Sequence, residues 1–300
     1  MKCIMVKALV IFLVGCATVP VMSQTSDLAR VEYTYFPQSS SDNSFRRFRA
    51  LLNFPIKLND NGSYLVPGIE YRNVNLQLDD TFPFDKKDMD RFQSMRADLG
   101  YTFKMQNDWR FGAKAGAIIA SNFENGEIDP EDILFSGAVY FIKDKKGEGI
   151  PKPWRLILGL QYATTAGRPF PLPIVNYFRR LNEKWSHTLG VPKTNVKYYA
   201  NDKNVFQAFV TLDGFFSNIQ NNRTFLDQSG QTQTAENVSM TVVLGGIGYE
   251  LFFTKHLLLY IYGGHTILND IRLRNEDRED VFTLNDTNTF YIRSGIKFKI

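Results

Sequence analysis

Residues 94–104, SMRADLGYTFK, alternate without a break. Met95, Ala97, Leu99, Tyr101 and Phe103 fall on one phase; Ser94, Arg96, Asp98, Gly100, Thr102 and Lys104 fall on the other. A period of two puts successive side chains on opposite faces of a β-strand, one apolar and one wet. A soluble sandwich turns the apolar face inward. A membrane barrel turns it outward, against lipid, and keeps the charges inside. The length of such segments separates the two cases. Strand-like stretches run near 29–37, 45–58, 63–77, 91–104, 110–121, 132–143, 154–164, 173–181, 185–189, 194–200, 204–218, 237–253, 257–272 and 288–300. Many are much longer than the about 5–6 residues usual in soluble sheets and match the about 9–11 that cross a bilayer.

The connections sort into two kinds. Tight ones (Asn59–Gly62, Gln106–Asp108, Asn182–Lys184, Asn201–Lys203, Thr254–His256) carry hairpin chemistry. Longer ones near 38–44, 78–90, 122–131, 165–172, 219–236 and 273–287 alternate with them, and the stretch 144–153 is long on the short side. Short turns at one end and long loops at the other are the layout of a transmembrane barrel. Three of the long loops, 79–90, 122–132 and 274–286, are acidic and fall on one side by strand parity. They read as solvated, mutually repelling segments. Asn125–Asp132 lacks the carboxylate spacing of a defined calcium loop.

The chain begins MKCIMVKALVIFLVGCATVPVMSQ: a basic start, an apolar run from Ala8 to Val14, then small residues. This is an export signal, too short to span a membrane. Cleavage after Ser23 leaves 24–300 as one barrel domain. Leu13-Val14-Gly15-Cys16 also resembles a lipoprotein box, in which Cys16 would be lipidated; the later cleavage site is favoured. Cys3 and Cys16 are the only cysteines, so the mature chain has no disulfide, thiolate metal site or cysteine nucleophile. Of 35 basic and 31 acidic residues, Lys2 and Lys7 leave with the signal. The near-balance that remains gives no footprint for a nucleic-acid partner, and no cofactor motif is present.

The last strand puts Phe290, Ile292, Ile296, Phe298 and Ile300 on one face, with Tyr291, Arg293, Gly295, Lys297 and Lys299 on the other. A C-terminal strand ending apolar, with an aromatic residue two positions earlier, resembles the assembly signal of bacterial outer-membrane proteins. Those usually end in Phe or Trp, and Ile300 departs from that. The stretch Phe170-Pro171-Leu172-Pro173-Ile174-Val175-Asn176-Tyr177-Phe178, with Asn182, Trp185, Leu189–Pro192 and Val196–Tyr198, resembles an uncharacterised outer-membrane β-barrel family found mainly in Bacteroidota. The resemblance covers the mature chain. It implies the fold and the bacterial outer membrane, with membrane lipid, lipopolysaccharide and the barrel-assembly machinery as partners. It brings no activity.

The expected fold is therefore all-β: an antiparallel up-and-down transmembrane barrel of twelve to fourteen strands. The count depends on whether 185–200, interrupted at Gly190-Val191-Pro192-Lys193, forms two wall strands or folds into the lumen. Alternation assigns Arg47, Arg49, Arg96, Asp98, Lys104, Arg110, Lys114, Arg155, Gln161, Asp213, Arg293 and Lys297 to the lumen. Basic residues outnumber acidic ones there, which favours anions. The leading expectation is a narrow channel or pocket for small anionic solutes, not an enzyme. The alternatives are a plugged barrel acting through its acidic loops, and a lipid-acting enzyme at the rim. His265, followed two residues on by Ile267, and His187, followed by Leu189, both lack a companion serine.

Overall fold

The computed structural model describes residues 27–38, 43–145, 150, 152–164 and 167–299. The export signal with Cys3 and Cys16, and the terminal Ile300, lie outside the described residues. The strands are β1 (Asp27–Pro37), β2 (Ser44–Asn53), β3 (Ile56–Lys57), β4 (Tyr64–Gln77), β5 (Arg91–Lys104), β6 (Trp109–Ser121), β7 (Ile133–Lys145), β8 (Trp154–Ala163), β9 (Phe170–Arg180), β10 (Trp185–Val191), β11 (Lys193–Tyr199), β12 (Asn204–Leu226), β13 (Thr232–Phe252), β14 (Leu257–Arg274), β15 (Asp280–Asn285) and β16 (Phe290–Lys299). The two-residue β3 pairs only with β4, and β15 is a flap on the outer end of β14. The other fourteen make the wall. Each pairs antiparallel with its neighbours, and β1 pairs with β16 (Tyr33 opposite Ser294), which closes the cylinder. Closure leaves no free sheet edge, the condition for a β-structure to sit in lipid.

The short segments at 185–200 are wall strands: β10 pairs with β9 and β11, and β11 with β12. Val191–Lys193 is the turn between them, so the count is fourteen. Pro192 sits in that turn, where its missing N–H breaks no ladder.

The apolar phase of residues 94–104 faces outward. Met95 is 52% and Leu99 53% exposed, and Phe135, Ile247 and Phe290 are more exposed still. Large apolar side chains in this state on most wall strands form a belt that water would not tolerate. At the short-turn end the belt finishes in aromatic contacts: Tyr101–Phe103–Phe111–Phe141, Trp154–Tyr177, Trp185–Tyr198 and Phe206–Tyr249. Amphipathic rings at that level are the girdle of a membrane barrel.

The wall is uneven in height. The β10–β11 turn lies level with Thr211 (its partner in the ladder is Lys193), yet β12 continues to Leu226 and β13 begins at Thr232. Above that level β12 leans across the lumen and meets β6 at a parallel bridge, Asn218 to Ser121. A bulge at Ile267 lets the β13–β14 sheet follow. Gly246 faces Gly264 in that sheet, and a Cβ on Gly264 would sit 2.0 Å from the Gly245 carbonyl. The loop-side half of the lumen is thereby filled with an apolar core. Phe36, Phe45, Phe92 and Phe215 come from the wall and β12; Phe84 and Met89 come from the 78–90 loop; Phe225, Val238, Met240 and Leu273 come from the β12–β14 extensions. Phe82, Phe84, Phe225 and Phe282 interlock edge to face above them.

A charge placed on the lipid face tests this orientation. Leu99→Arg, near mid-strand, is expected to destabilise the refolded barrel by about 2–4 kcal/mol, while Leu99→Ile stays within about 1.5 kcal/mol. Denaturant titration in lipid vesicles reads the difference, and equal stability of the two variants would place residue 99 away from lipid.

Candidate solute chamber and its charged crossing

Beneath the apolar cap the inward phase is mixed: Ile142, Val205 and Leu258 are buried there, but charged groups on several strands meet across the barrel. Arg47 on β2 is 1% exposed and forks onto Asp213 of β12, with Nη1 to Oδ1 at 3.0 Å and Nη2 to Oδ2 at 2.6 Å. Arg293 on β16 donates to the same carboxylate at 2.5 Å. Neither β2 nor β16 is a ladder neighbour of β12, so these bonds span the lumen. Glu32 lies 3.6 Å from Arg47 and 3.7 Å from Arg293, and accepts a hydrogen bond of 2.7 Å from the Tyr260 hydroxyl. Beside this crossing, Glu70 takes Arg49 at 2.6 Å and Arg72 at 2.5 Å. Arg72 also reaches the Gly214 carbonyl of β12 at 3.4 Å.

Nearer the short-turn end the lumen is wetter. Lys114 faces inward yet is 37% exposed, and pairs with Asp98 at 3.1 Å; Ser136 donates to the same carboxylate. Lys197 bonds Glu250 at 2.7 Å, and Gln207 and Tyr262 donate to that carboxylate too. Lys193 stands over the rings of Phe209 and Tyr262, and Lys297 over Tyr260 and Tyr262. Arg110 donates to the Gly62 carbonyl at 2.8 Å and lies over Tyr64, while the Lys104 stem packs against Gly62. Arg155 lies over Phe178, opposite Asp144 in the ladder. Among the described residues, Arg110, Lys193 and Lys297 have no carboxylate within ion-pair distance, so this part of the lumen keeps a positive surplus.

The sequence reading placed Asp98, Asp213 and several basic members of this set in the lumen, but missed charges of both signs. Glu32, Glu70 and Glu250, together with Arg72, Lys193 and Lys197, lie on the inward phase as plainly as Arg47 does. Val31 and Ile69 beside them are exposed, so strand parity alone was a sufficient signal for Glu32 and Glu70.

Most carboxylates of the acidic loops are exposed, as expected, among them Asp85, Glu127, Glu131, Glu276, Asp277 and Asp286, but a few are engaged by the cap. Asp132 is fully buried and accepts hydrogen bonds from Asn218 at 2.8 Å and Gln220 at 2.7 Å. Glu124 bonds Arg223 at 2.7 Å, and Arg272 reaches Asp280 at 2.6 Å. The inward lean of β12 brings Asn218, Gln220 and Arg223 onto Asp132 and Glu124, whereas Arg272 of β14 reaches Asp280 within the β14–β15 pair. The three histidines lie apart. His187 is on the outward phase of β10, His256 bonds the Lys299 carbonyl in a turn, and His265 faces outward against Phe290. Among the described residues no group of three or more His, Cys, Asp or Glu could hold a metal ion.

The fold and this lumen define a transmembrane β-barrel of the outer-membrane type, closed on its loop side. The chain belongs to the family described as a domain of unknown function (DUF6268), whose profile matches residues 21–299. No curated protein matches the sequence. Among solved structures it is similar to the KdgM porin (7% identity, 90% of this chain and 99% of that one, TM-score 0.36). It is also similar to a mutant of the TodX monoaromatic hydrocarbon channel (11%, 91% and 90%, TM-score 0.39) and to outer membrane phospholipase A from Escherichia coli (13%, 91% and 97%, TM-score 0.37). Channels and an enzyme stand side by side in that set, and likenesses of this size carry no functional weight.

Two measurements follow from the geometry. Arg47→Ala leaves Asp213 short of its bidentate partner in a buried site, and is expected to cost about 3–5 kcal/mol of unfolding free energy. Denaturant titration reads this, and a loss below about 1 kcal/mol would mean that the crossing is not buried. The second concerns the cap. Partial burial opposes ionisation of Glu124, but the Arg223 hydrogen bond and charge outweigh it and hold the carboxyl below its ordinary range. The folded form therefore binds the proton less tightly than the unfolded chain. The stabilisation is complete above the ordinary carboxylate range and is lost as pH falls through the lowered value. Amide exchange in 122–132 and 219–226 is expected to quicken on acidification before that of the wall strands, and Glu124→Gln removes that step.

Proposed function

We propose that this is a bacterial outer-membrane barrel, exported by the signal at 1–23, that holds small anionic solutes in a basic chamber. The chamber opens toward the periplasmic, short-turn side and is shut on the outer side. The reading is non-enzymatic. Membrane lipid and lipopolysaccharide surround the apolar belt, and the barrel-assembly machinery inserts the chain. The observation that carries the proposal is the pair Arg47 and Arg293 on Asp213. It stitches β2 and β16 to β12 through the middle of the lumen, below an apolar cap, so the axial path is closed while uncompensated cations remain beneath it. Lysines and arginines without carboxylate partners select anions by charge. Arg110, Lys114, Arg155 and Lys297 of the expected lumen set lie in the chamber; Arg47, Asp213 and Arg293 form its ceiling, and Arg96 stands beside the crossing at Glu70.

Planar-bilayer recording tests the closure. Refolded protein is expected to be silent, and deletion of residues 80–89 combined with Asp213→Ala, which removes both Phe84 and Met89 of the cap and the carboxylate that ties β2 and β16 to β12, is expected to give anion-selective steps. Stable conductance in the unaltered protein would overturn the closed chamber in favour of a pore. Calorimetry with inorganic phosphate tests the binding half. Heat of binding that weakens at least tenfold in Lys297→Gln with Arg110→Gln supports it, and absence of binding in the unaltered protein refutes it.

A further inference from the structure

On the β4–β6 side of the crossing lies a small cavity of about 20 Å³, lined by Glu70, Arg72, Ser94, Arg96, Thr164 and Ser217, with apolar walls from β12 and β6. A space of this size admits one water-sized occupant. Two of its polar atoms lack any hydrogen-bond partner. They are the Ser217 Oγ, on a residue only 2% exposed, and the buried Arg96 Nε. Arg96 stands opposite Glu70 in the β4–β5 ladder, yet that carboxylate is already taken by Arg49 and Arg72. Two guanidinium groups thus line a cavity whose single carboxylate is doubly engaged. A buried guanidinium N–H and a buried hydroxyl left unpaired are costly. A water could accept from one of them but would leave the positive surplus in place.

We infer that the cavity is a binding site for one monoatomic anion of chloride size, held by Arg96 and the Ser217 hydroxyl, with Ser94 and Thr164 as further donors. An anion accepts from every donor present and cancels charge where Arg96 has no counter-ion. The position gives the site a consequence. Its lining comes from the fixed wall (β4, β5) and from the leaning segment of β12, so an occupant ties the cap to the barrel. The anion belongs to the closed state and strengthens it. The inference is independent of the solute chamber: the site lies on the other side of the crossing, and its occupancy does not require phosphate to bind below.

The test is diffraction from crystals of the mature protein grown in sodium bromide, recorded at the bromine edge. An anomalous peak in the cavity between Arg96 and Ser217 supports the site. Clear density there without anomalous signal means a water and overturns it. A second measurement guards against crystal effects. In vesicles at constant ionic strength, replacing gluconate, too large for the cavity, by chloride is expected to raise the folding constant. Above saturation it rises up to tenfold for each tenfold increase in chloride. Arg96→Gln is expected to abolish that dependence while remaining folded. A folding constant indifferent to chloride in the unaltered protein overturns the proposal.

Discussion

The Asp213 carboxylate is where the architecture is decided. It receives a bidentate arginine from β2 and a second arginine from β16, which flank β1 on one stretch of the wall, while β12 comes from another. In a low-dielectric interior such charges are stable only when paired and hydrogen-bonded, so their meeting fixes how far β12 travels inward. Everything above depends on that displacement: the single parallel bridge to β6, the burial of Phe215 and Ile219, and the seat for Phe84 and Met89 of the 78–90 loop. Without a ligand for its leaning strand, the long β12–β13 hairpin would have no reason to leave the wall.

The second constraint is the solvent. Lipid supplies neither hydrogen bonds nor charge stabilisation, so every backbone group must pair within the wall and every charge must go inside. The belt of exposed Leu, Ile, Val and Phe and the inward ion pairs are one consequence of that rule. The loop-side half then behaves like an ordinary globular core, apolar at its centre and held at its surface by Asp132, Glu124 and Asp280. The lumen thus has two regions, one rich in charged groups toward the short turns and an apolar one toward the long loops, and the charged crossing divides them.

This division gives the functional reading its shape. An open lumen with a cationic lining would be a pore. The same lining under a ceiling of ion pairs and a cap of aromatic rings is a pocket with one mouth. In the proposed reading the surplus of cations below the crossing sets the preference of that pocket, and His265 lies on the outward face.

The period-two pattern, taken with the length of the strands and the alternation of short turns and long loops, pointed to a barrel and to which phase of each strand meets lipid. That pattern is local, and lipid forces its interpretation once strands are long and closed. Twelve wall strands were legible this way, and so was the inward phase carrying Arg47, Asp213, Arg293 and Lys297; whether the short pair at 185–200 joined the wall was decided only by its pairing with β9 and β12. What only the tertiary structure decided is which inward charges meet. Arg47 and Asp213 lie 166 positions apart, and no periodicity encodes a contact across a lumen. Equally hidden were the inward lean of β12 and the burial of Asp132. Both arise because β10 and β11 are too short to hold β12 upright, a mismatch of lengths that becomes a shape only after the cylinder closes.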